Sequence, residues 1–200
     1  VILLPIKKPL IKFCEFVVPD REEKQHTVFL DERIFNNPPL ALSECSRLTN
    51  EMAVLARDSL IKSIDLISNY SEEVSQNIRE LETVTDKYED KLGTYLVRLS
   101  SKKLSDSESH RVARMLHSIG DFERIGDYAT NMVELAQKLN EDGSAFSDSA
   151  KQELNLICAA VNEILDITVN AFTHGDNEMA KAIEPLEETI DDMVMILKDR

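Results

Sequence analysis

Gly120-Asp121-Phe122-Glu123-Arg124-Ile125-Gly126-Asp127-Tyr128-Ala129-Thr130-Asn131 is the stretch on which the reading of this chain turns. It lies within a longer apolar series, Val112, Met115, Ile119, Phe122, Ile125, Ala129, Met132, Val133 and Ala136, whose steps are mostly of three or four residues. That is the period of one helix face. Ser105-Asp106-Ser107-Glu108 opens the helix as a capping box, and Asp142-Gly143 follows its end. Two features inside it are unusual. Glu123, Asp127 and Asn131 recur every fourth residue and so share a face. Gly126 stands in the helix interior, where glycine costs about 1 kcal/mol against alanine, so a close backbone approach or a ligand would help explain it.

Helical periodicity extends in both directions from this segment. A first helix is predicted from about Leu40 to Asn69, with Met52, Leu55, Ala56, Leu60, Ile64 and Ile67 inward. A second begins near Ser71-Glu72-Glu73, a cap residue with acids in the first turn, and carries Ile78, Leu81, Tyr88, Leu92, Tyr95 and Leu99. A fourth is predicted over about Ser147 to Thr173, stopping at His174-Gly175, and a fifth over about Asp176 to Arg200. Pro185 lies inside the fifth pattern, so a kink or break is expected there. Helices this long with short connections imply an all-α antiparallel bundle.

The bundle shows a weak internal repeat at an offset of 105 residues in the sequence. Leu81, Glu82 and Asp86 face Leu186, Glu187 and Asp191; Met52, Leu60, Ile64 and Ile67 face Ile157, Leu165, Val169 and Phe172. This suggests two copies of a three-helix unit, residues 40–140 and 145–200, the second lacking its third helix. A further helix with its own acidic motif is then expected beyond Arg200. Without it, the last two helices would expose apolar surface and the chain would tend to self-associate as a homo-oligomer.

Composition narrows the function. With 23 Lys and Arg against 37 Asp and Glu, the net charge is −14. A chain this acidic repels nucleic acid as a whole, since that binding rests on basic residues neutralising phosphates. Cys14, Cys45 and Cys158 are far apart and odd in number, which fits neither a disulfide framework nor a CxxC metal site. Residues 20–39 read as a linker, with a charged cluster, a β-like Val28-Phe29-Leu30 patch and then Asn36-Asn37-Pro38-Pro39. Ahead of it, Val1-Ile2-Leu3-Leu4-Pro5-Ile6 is followed by Lys7, Lys8 and Lys12, the pattern either of a membrane helix end and its basic cytoplasmic flank over residues 1–19 or of an ordinary buried N-terminal segment. No stretch reads as continuously apolar over the roughly 20 residues that span a bilayer.

The candidate chemistry lies in the acids. Glu82/Asp86, Glu123/Asp127 and Glu187/Asp191 are i,i+4 pairs beside the apolar stripes of their helices. Chance alone gives roughly seven such pairs in a chain this acidic, and most acidic pairs are solvated faces. Recurrence at matched repeat positions favours a shared role. Carboxylates presented from facing helices are hard oxygen ligands for a cation. Other chemistry is poorly supported. There is no glycine-rich phosphate nest or Arg cluster. Glu23-Lys24-Gln25-His26 is a lone ExxH in the linker, and His110 and His117 read as surface or interface residues.

Glu123-Arg124-Ile125-Gly126-Asp127, with Asn131 four residues on, resembles the signature of the PhoU family. The resemblance implies tandem three-helix bundles whose acidic motifs bind a multinuclear metal cluster, of iron or zinc. Carried onto this chain, it gives Glu82, Asp86, Glu123, Asp127 and Asn131 as one set of ligands, with Glu187 and Asp191 as counterparts in the second repeat. Phe29-Leu30-Asp31-Glu32-Arg33 and Pro38-Pro39-Leu40-Ala41-Leu42 resemble the junction after the membrane domain of bacterial sodium-dependent phosphate cotransporters. That implies a regulatory domain rather than an enzyme, on the cytoplasmic side of the membrane, whose partner is its own transmembrane sodium/phosphate transport domain. The alternatives are a stand-alone PhoU-type regulator of phosphate uptake and a ligand-free helical scaffold.

Overall fold

Two adjacent prolines begin the first helix. In the computed structural model, which describes residues 30–198, α1 spans Pro38–Leu66, with the prolines in its first turn, where a backbone N–H would have no helical partner. Asn37 caps it, its side chain accepting from the N–H of Leu40 at 3.5 Å. α2 spans Glu72–Ser100 behind the Ser71 cap. α3 spans Asp106–Glu141 and opens with the expected capping box: Glu108 accepts from the N–H of Ser105 at 2.8 Å, and the N–H of Glu108 donates to Ser105 Oγ at 3.3 Å. α4 spans Asp148–His174 and ends on Gly175, whose φ of 65° is the left-handed conformation glycine adopts freely.

The fifth expected helix is interrupted, but not at Pro185. A single turn, Asn177–Ala180, is capped by Asp176, which accepts from the N–H groups of Glu178 and Met179. The chain then turns at Lys181-Ala182 and restarts as α5, Ile183–Lys198. Pro185 falls in the first turn of α5, where its missing N–H breaks no hydrogen bond. α1 ends three residues before the expected Asn69. The membrane-end segment, the ExxH string, Cys14 and most of the linker lie outside the described residues. The end of the linker is ordered as a 3-10 turn, Glu32–Asn36, packed on the bundle through Leu30, Ile34 and Phe35.

α1, α2 and α3 pack on one another as an antiparallel three-helix bundle; α4 lies on α1, and α5 packs chiefly on α4. The described residues are all helix and connection, with no strand. The core follows the expected stripes. Met52, Ala56, Ile64, Ile78, Tyr88, Leu92, Tyr95, Leu99, Val112, Met115, Ile119, Phe122, Ala129, Val133 and Ala136 are all buried. Burying a large apolar side chain contributes about 1.5–3 kcal/mol, so stability resides mainly in α1–α3. By contrast α4 buries Val169 and Ala171, and α5 has no buried residue. Leu156, Met195 and Ile196 on those two helices are more than half exposed.

α4 has no continuous apolar run of bilayer length, since Asn162, Glu163 and Asp166 interrupt it, but its average composition is apolar. α4 is 27 residues long with a mean hydropathy of 1.4 over its most apolar window, enough by length and composition to cross a membrane. Its contacts are those of a bundle helix. Asp166 approaches Arg57 of α1 at 3.6 Å, Phe172 meets Phe122 of α3 edge-on at 5.1 Å, and Asn50 of α1 donates to the carbonyl of Thr173 at 3.3 Å.

The core divides into two apolar clusters. One is built on Leu42, Met52, Tyr88, Leu92, Leu96 and Phe122; the other on Leu66, Ile78, Ala129, Val133 and Ala136. Small or polar residues fall between them along each helix: Ser59 on α1, Thr85 on α2 and Gly126 on α3. Thr85 donates to the carbonyl of Leu81 at 2.7 Å, whereas the hydroxyl of Ser59 is buried without a partner. An unsatisfied buried hydroxyl costs about 1–3 kcal/mol. Ser59→Ala is therefore expected to stabilise the protein by about 1 kcal/mol in urea unfolding. Ser63→Ala, which removes a hydroxyl that donates to the carbonyl of Leu60, is expected to gain nothing.

Candidate functional site

The helix interior is open to close approach at Gly126. A Cβ placed there would meet Thr85 Oγ1 at 3.5 Å and Thr85 Cβ at 3.7 Å. The glycine thus marks the level at which α2 and α3 come together. A second such point lies at Gly93, where a Cβ would meet Ile119 Cδ1 at 3.6 Å. The two contacts agree on one antiparallel register to within a residue.

That register fixes the acids. Glu82 and Asp86 stand three residues before and one after Thr85; Glu123 and Asp127 stand three before and one after Gly126. In antiparallel helices the residue before one contact point lies near the residue after the other. Glu82 is thereby brought towards Asp127, and Asp86 towards Glu123, at heights differing by about two residues, or about 3 Å. Counting from the interhelical turn alone gives a mismatch of about 6 Å, because it takes no account of the longer α3 side.

The electrostatics follow from this placement. The Glu82 carboxyl is raised above the ordinary range by burial, then by the charges of Asp86 and Asp127. Burial also raises Asp86, joined by the charges of Asp127 and Asp90. Glu123 is raised by burial, by the charges of Asp127 and Asp86, by a hydrogen bond with Asp127 and by the charge of Glu89. Every charge that perturbs these three groups is another carboxylate. Sequence reasoning did not single out Glu89 and Asp90; their signal was that they continue the acidic run of α2 one turn beyond Asp86.

The remaining sequence candidates lie elsewhere. Asn131 is exposed one turn beyond Asp127 on α3. Glu187 and Asp191 are exposed on α5, which packs chiefly on α4 and is not gathered with the α2/α3 acids. His110 and His117 are exposed on α3. Cys45 and Cys158 are free; burial pushes the Cys45 thiol up to about 12, which leaves it unionised at neutral pH.

The donor set suits a hard cation. Four carboxylates from two helices offer oxygen ligands, and a bound cation would replace mutual repulsion with attraction. Among the described residues no three His, Cys, Asp or Glu side chains already stand together as a metal-holding group. Glu82, Asp86, Glu123 and Asp127 would have to close up across the α2/α3 rim to share one ion.

The family model described as the PhoU domain matches residues 49–136, which run from α1 through α3. Over 186 residues the chain is 23% identical to YjbB of Escherichia coli K12, a protein named for inorganic phosphate export. That alignment takes in 91% of this chain and 34% of YjbB, so the chain spans about a third of that relative. The phosphate-specific transport system accessory protein PhoU homologue of Pseudomonas aeruginosa is 23% identical over 70% of this chain and 57% of its own length. The corresponding homologue of Aquifex aeolicus is 22% identical over 76% of this chain and 68% of its own. No solved structure matches the chain. It thus carries a PhoU-domain match and is distantly similar to proteins of phosphate transport and its regulation.

Two expectations follow. At Gly126 the Thr85 contacts are ordinary van der Waals distances, so Gly126→Ala should be accommodated and raise stability by up to about 1 kcal/mol. Gly126→Leu should force the helices apart and destabilise by about 1–3 kcal/mol, both read by thermal or urea unfolding. The second concerns pH. Carboxyls whose pKa is raised in the folded state bind protons more tightly there than in the unfolded chain. They destabilise the fold at neutral pH, and that penalty is relieved as pH falls through the raised values towards the ordinary carboxylate range. In chelator-treated buffer, Glu123→Gln/Asp127→Asn should melt above wild type at neutral pH, with the gap closing as pH falls into the ordinary carboxylate range.

Proposed function

We propose that this chain is the regulatory helical domain of a phosphate-transport protein, carried on the cytoplasmic side of the membrane and partnered with its own transmembrane sodium/phosphate transport domain. The observation that carries this reading is the extent of the similarity. The YjbB alignment covers 91% of the chain, well beyond residues 49–136, while the PhoU homologues of P. aeruginosa and A. aeolicus cover 70% and 76%. The junction-like residues around Pro38-Pro39 and the apolar-then-basic segment of residues 1–12 accord with a chain that follows a membrane domain. In this reading transport chemistry belongs to the membrane domain, and the helical domain sets its activity.

The α2/α3 carboxylates are proposed as the site that the domain uses, holding a metal ion or cluster, of iron or zinc on the family resemblance, between Glu82, Asp86, Glu123 and Asp127. Asn131 stands at its edge. Glu187 and Asp191 would serve an equivalent site of the second repeat. The structural support is that the α2/α3 acids act on one another across the helix pair, so neutralising them is favourable. A stand-alone PhoU-type regulator is the second reading, supported by the similarity to the two PhoU homologues.

Both parts can be tested in the parent protein. Elemental analysis after reconstitution with iron or zinc should show metal in wild type and about a tenth as much or less in Glu123→Gln/Asp127→Asn. Equal metal in both, or none in wild type, would remove the site. In cells lacking other phosphate transporters, the same double variant should still move phosphate but lose its adjustment of flux to phosphate supply. Unchanged regulation with metal lost would show that the domain regulates by another route; loss of all transport would show a role in the transport step itself.

A further inference from the structure

The acidic character of this chain is not spread evenly. Between Lys91 and Gly120 the sequence holds Lys91, Arg98, Lys102, Lys103, Arg111 and Arg114 against only Asp106 and Glu108, in a chain whose net charge is −14. These residues form the last turns of α2, the interhelical turn and the first turns of α3, so they occupy one end of the bundle. Helix-end electrostatics accounts for part of this. Arg98 suits the C-terminus of α2, but Arg111 and Arg114 lie in the second and third turns of α3, beyond the reach of the helix dipole, so helix-end electrostatics does not account for them. The two acids are also engaged: Asp106 is in the first turn of α3, and Glu108 completes the capping box with Ser105.

Two further observations distinguish this end. Two exposed apolar side chains belong to the same end of the bundle: Val97, in the last turn of α2, is 58% exposed and Leu40, in the first turn of α1, is 50% exposed. The chain upstream of α1 also reaches the bundle here. Phe35 of the 3-10 turn packs edge-on to Tyr95 at 5.4 Å and lies under the charges of Arg98 at 4.7 Å and Lys102 at 4.6 Å. Glu32 pairs with Arg98 at 2.7 Å. Arg98 is therefore committed to holding the entering segment. Lys103 and Arg114 are exposed and, among the described residues, make no ion pair or side-chain hydrogen bond.

We propose that this end of the bundle is a membrane-docking face, with Lys102, Lys103, Arg111 and Arg114 contacting anionic lipid headgroups and Val97 and Leu40 entering the interfacial layer. Basic residues near an anionic leaflet each contribute about 1 kcal/mol, falling off within a Debye length, and exposed apolar side chains add burial at the interface. A lipid surface fits better than a nucleic acid because the face combines cations with bare aliphatic side chains and, among the described residues, no exposed Phe, Tyr or Trp ring on which bases could stack. The upstream segment approaches at this same end, and its Lys7, Lys8 and Lys12 follow an apolar run. The acidic remainder of the bundle would be repelled by the leaflet, which orients the domain with its basic end down. This proposal takes its membrane side from the function proposed above, but its test uses neither transport nor metal.

The experiment is sedimentation of the full chain with vesicles, in a Lys7→Gln/Lys8→Gln/Lys12→Gln background so that the upstream lysines do not supply the binding. Phosphatidylcholine vesicles containing about a third phosphatidylglycerol should retain the protein at low salt and release it as salt rises; pure phosphatidylcholine should not bind it. Lys102→Gln/Lys103→Gln/Arg114→Gln should weaken binding by about a hundredfold, and the corresponding Glu triple variant, where it folds, by more than that. Val97→Ser should weaken it severalfold with no change in charge. Lys62→Glu/Lys138→Glu/Lys151→Glu, an equal charge change elsewhere, should leave it within about twofold. Equal binding to both vesicle types, no effect of the basic-end variants, or preferential competition by single-stranded DNA would overturn the docking face. Such a failure alongside retained metal binding and phosphate regulation would leave the proposed function standing. Intact vesicle binding with those two lost would do the reverse.

Discussion

Thr85 and Gly126 set the distance between α2 and α3, and the arrangement of charge in this molecule depends on that distance. A larger side chain at either position would separate the helices at that level. Four carboxylates stand at matching offsets from that contact, and Glu82, Asp86 and Glu123 are each perturbed by the charge of Asp127 across or along the pair. Their mutual repulsion is real but small in this setting. Each is partly solvated, and charges near a protein surface interact by about 1 kcal/mol or less at such separations once water screens them. The apolar clusters on either side contribute about 1.5–3 kcal/mol for each large buried side chain. The core therefore imposes the acidic rim at modest cost. A cation at the rim would add to a stable fold and is not needed to create one.

Much of this architecture could be read in the sequence because it rests on local signals. The apolar stripes give one face for each helix, and Ser71, Ser105 and Ser147 mark three starts through hydrogen bonds made within three residues. What the sequence withheld was chiefly non-local. Ala53, Ser59, Ser63 and Thr85 are buried as fully as their leucine neighbours, yet small and hydroxyl residues carry no hydrophobic signature. Their burial follows from how closely other helices approach. The break before α5 was displaced because Asp176 caps a separate turn and Pro185 is harmless in the first turn of the helix that follows. The high hydropathy of α4 arises from the same cause as its exposure: its apolar side chains exceed what α1 and α5 cover.

The candidate site shows the same division. Each i,i+4 acidic pair is evident on its own helix, since four residues make one turn. Which pairs meet is a question of register between helices, and the glycine was the available clue. A helix-interior glycine that faces a neighbouring helix marks a crossing level, and the residues around it inherit their cross-helix neighbours from that level. Gly93 facing Ile119 gives an independent count of the same register. Glu187 and Asp191 have no such marker on α5, and their helix packs chiefly on α4, away from the first group.

The two charged regions are not mechanically separate. α2 carries both Asp86 and Arg98, 12 residues or about 18 Å apart along one uninterrupted helix. Between them Tyr88 donates to Glu51 of α1 at 3.2 Å, and Tyr95 packs against Phe35 of the entering segment. The chain enters the bundle beside the last turns of α2. At that point Glu32, Phe35, Tyr95, Arg98 and Lys102 form one connected group. Arg98 takes part in both an ion pair and a ring contact, so shifting α2 alters both together. One helix thus carries acids of the α2/α3 rim at one level and, about 18 Å along, the residues that hold the entering segment.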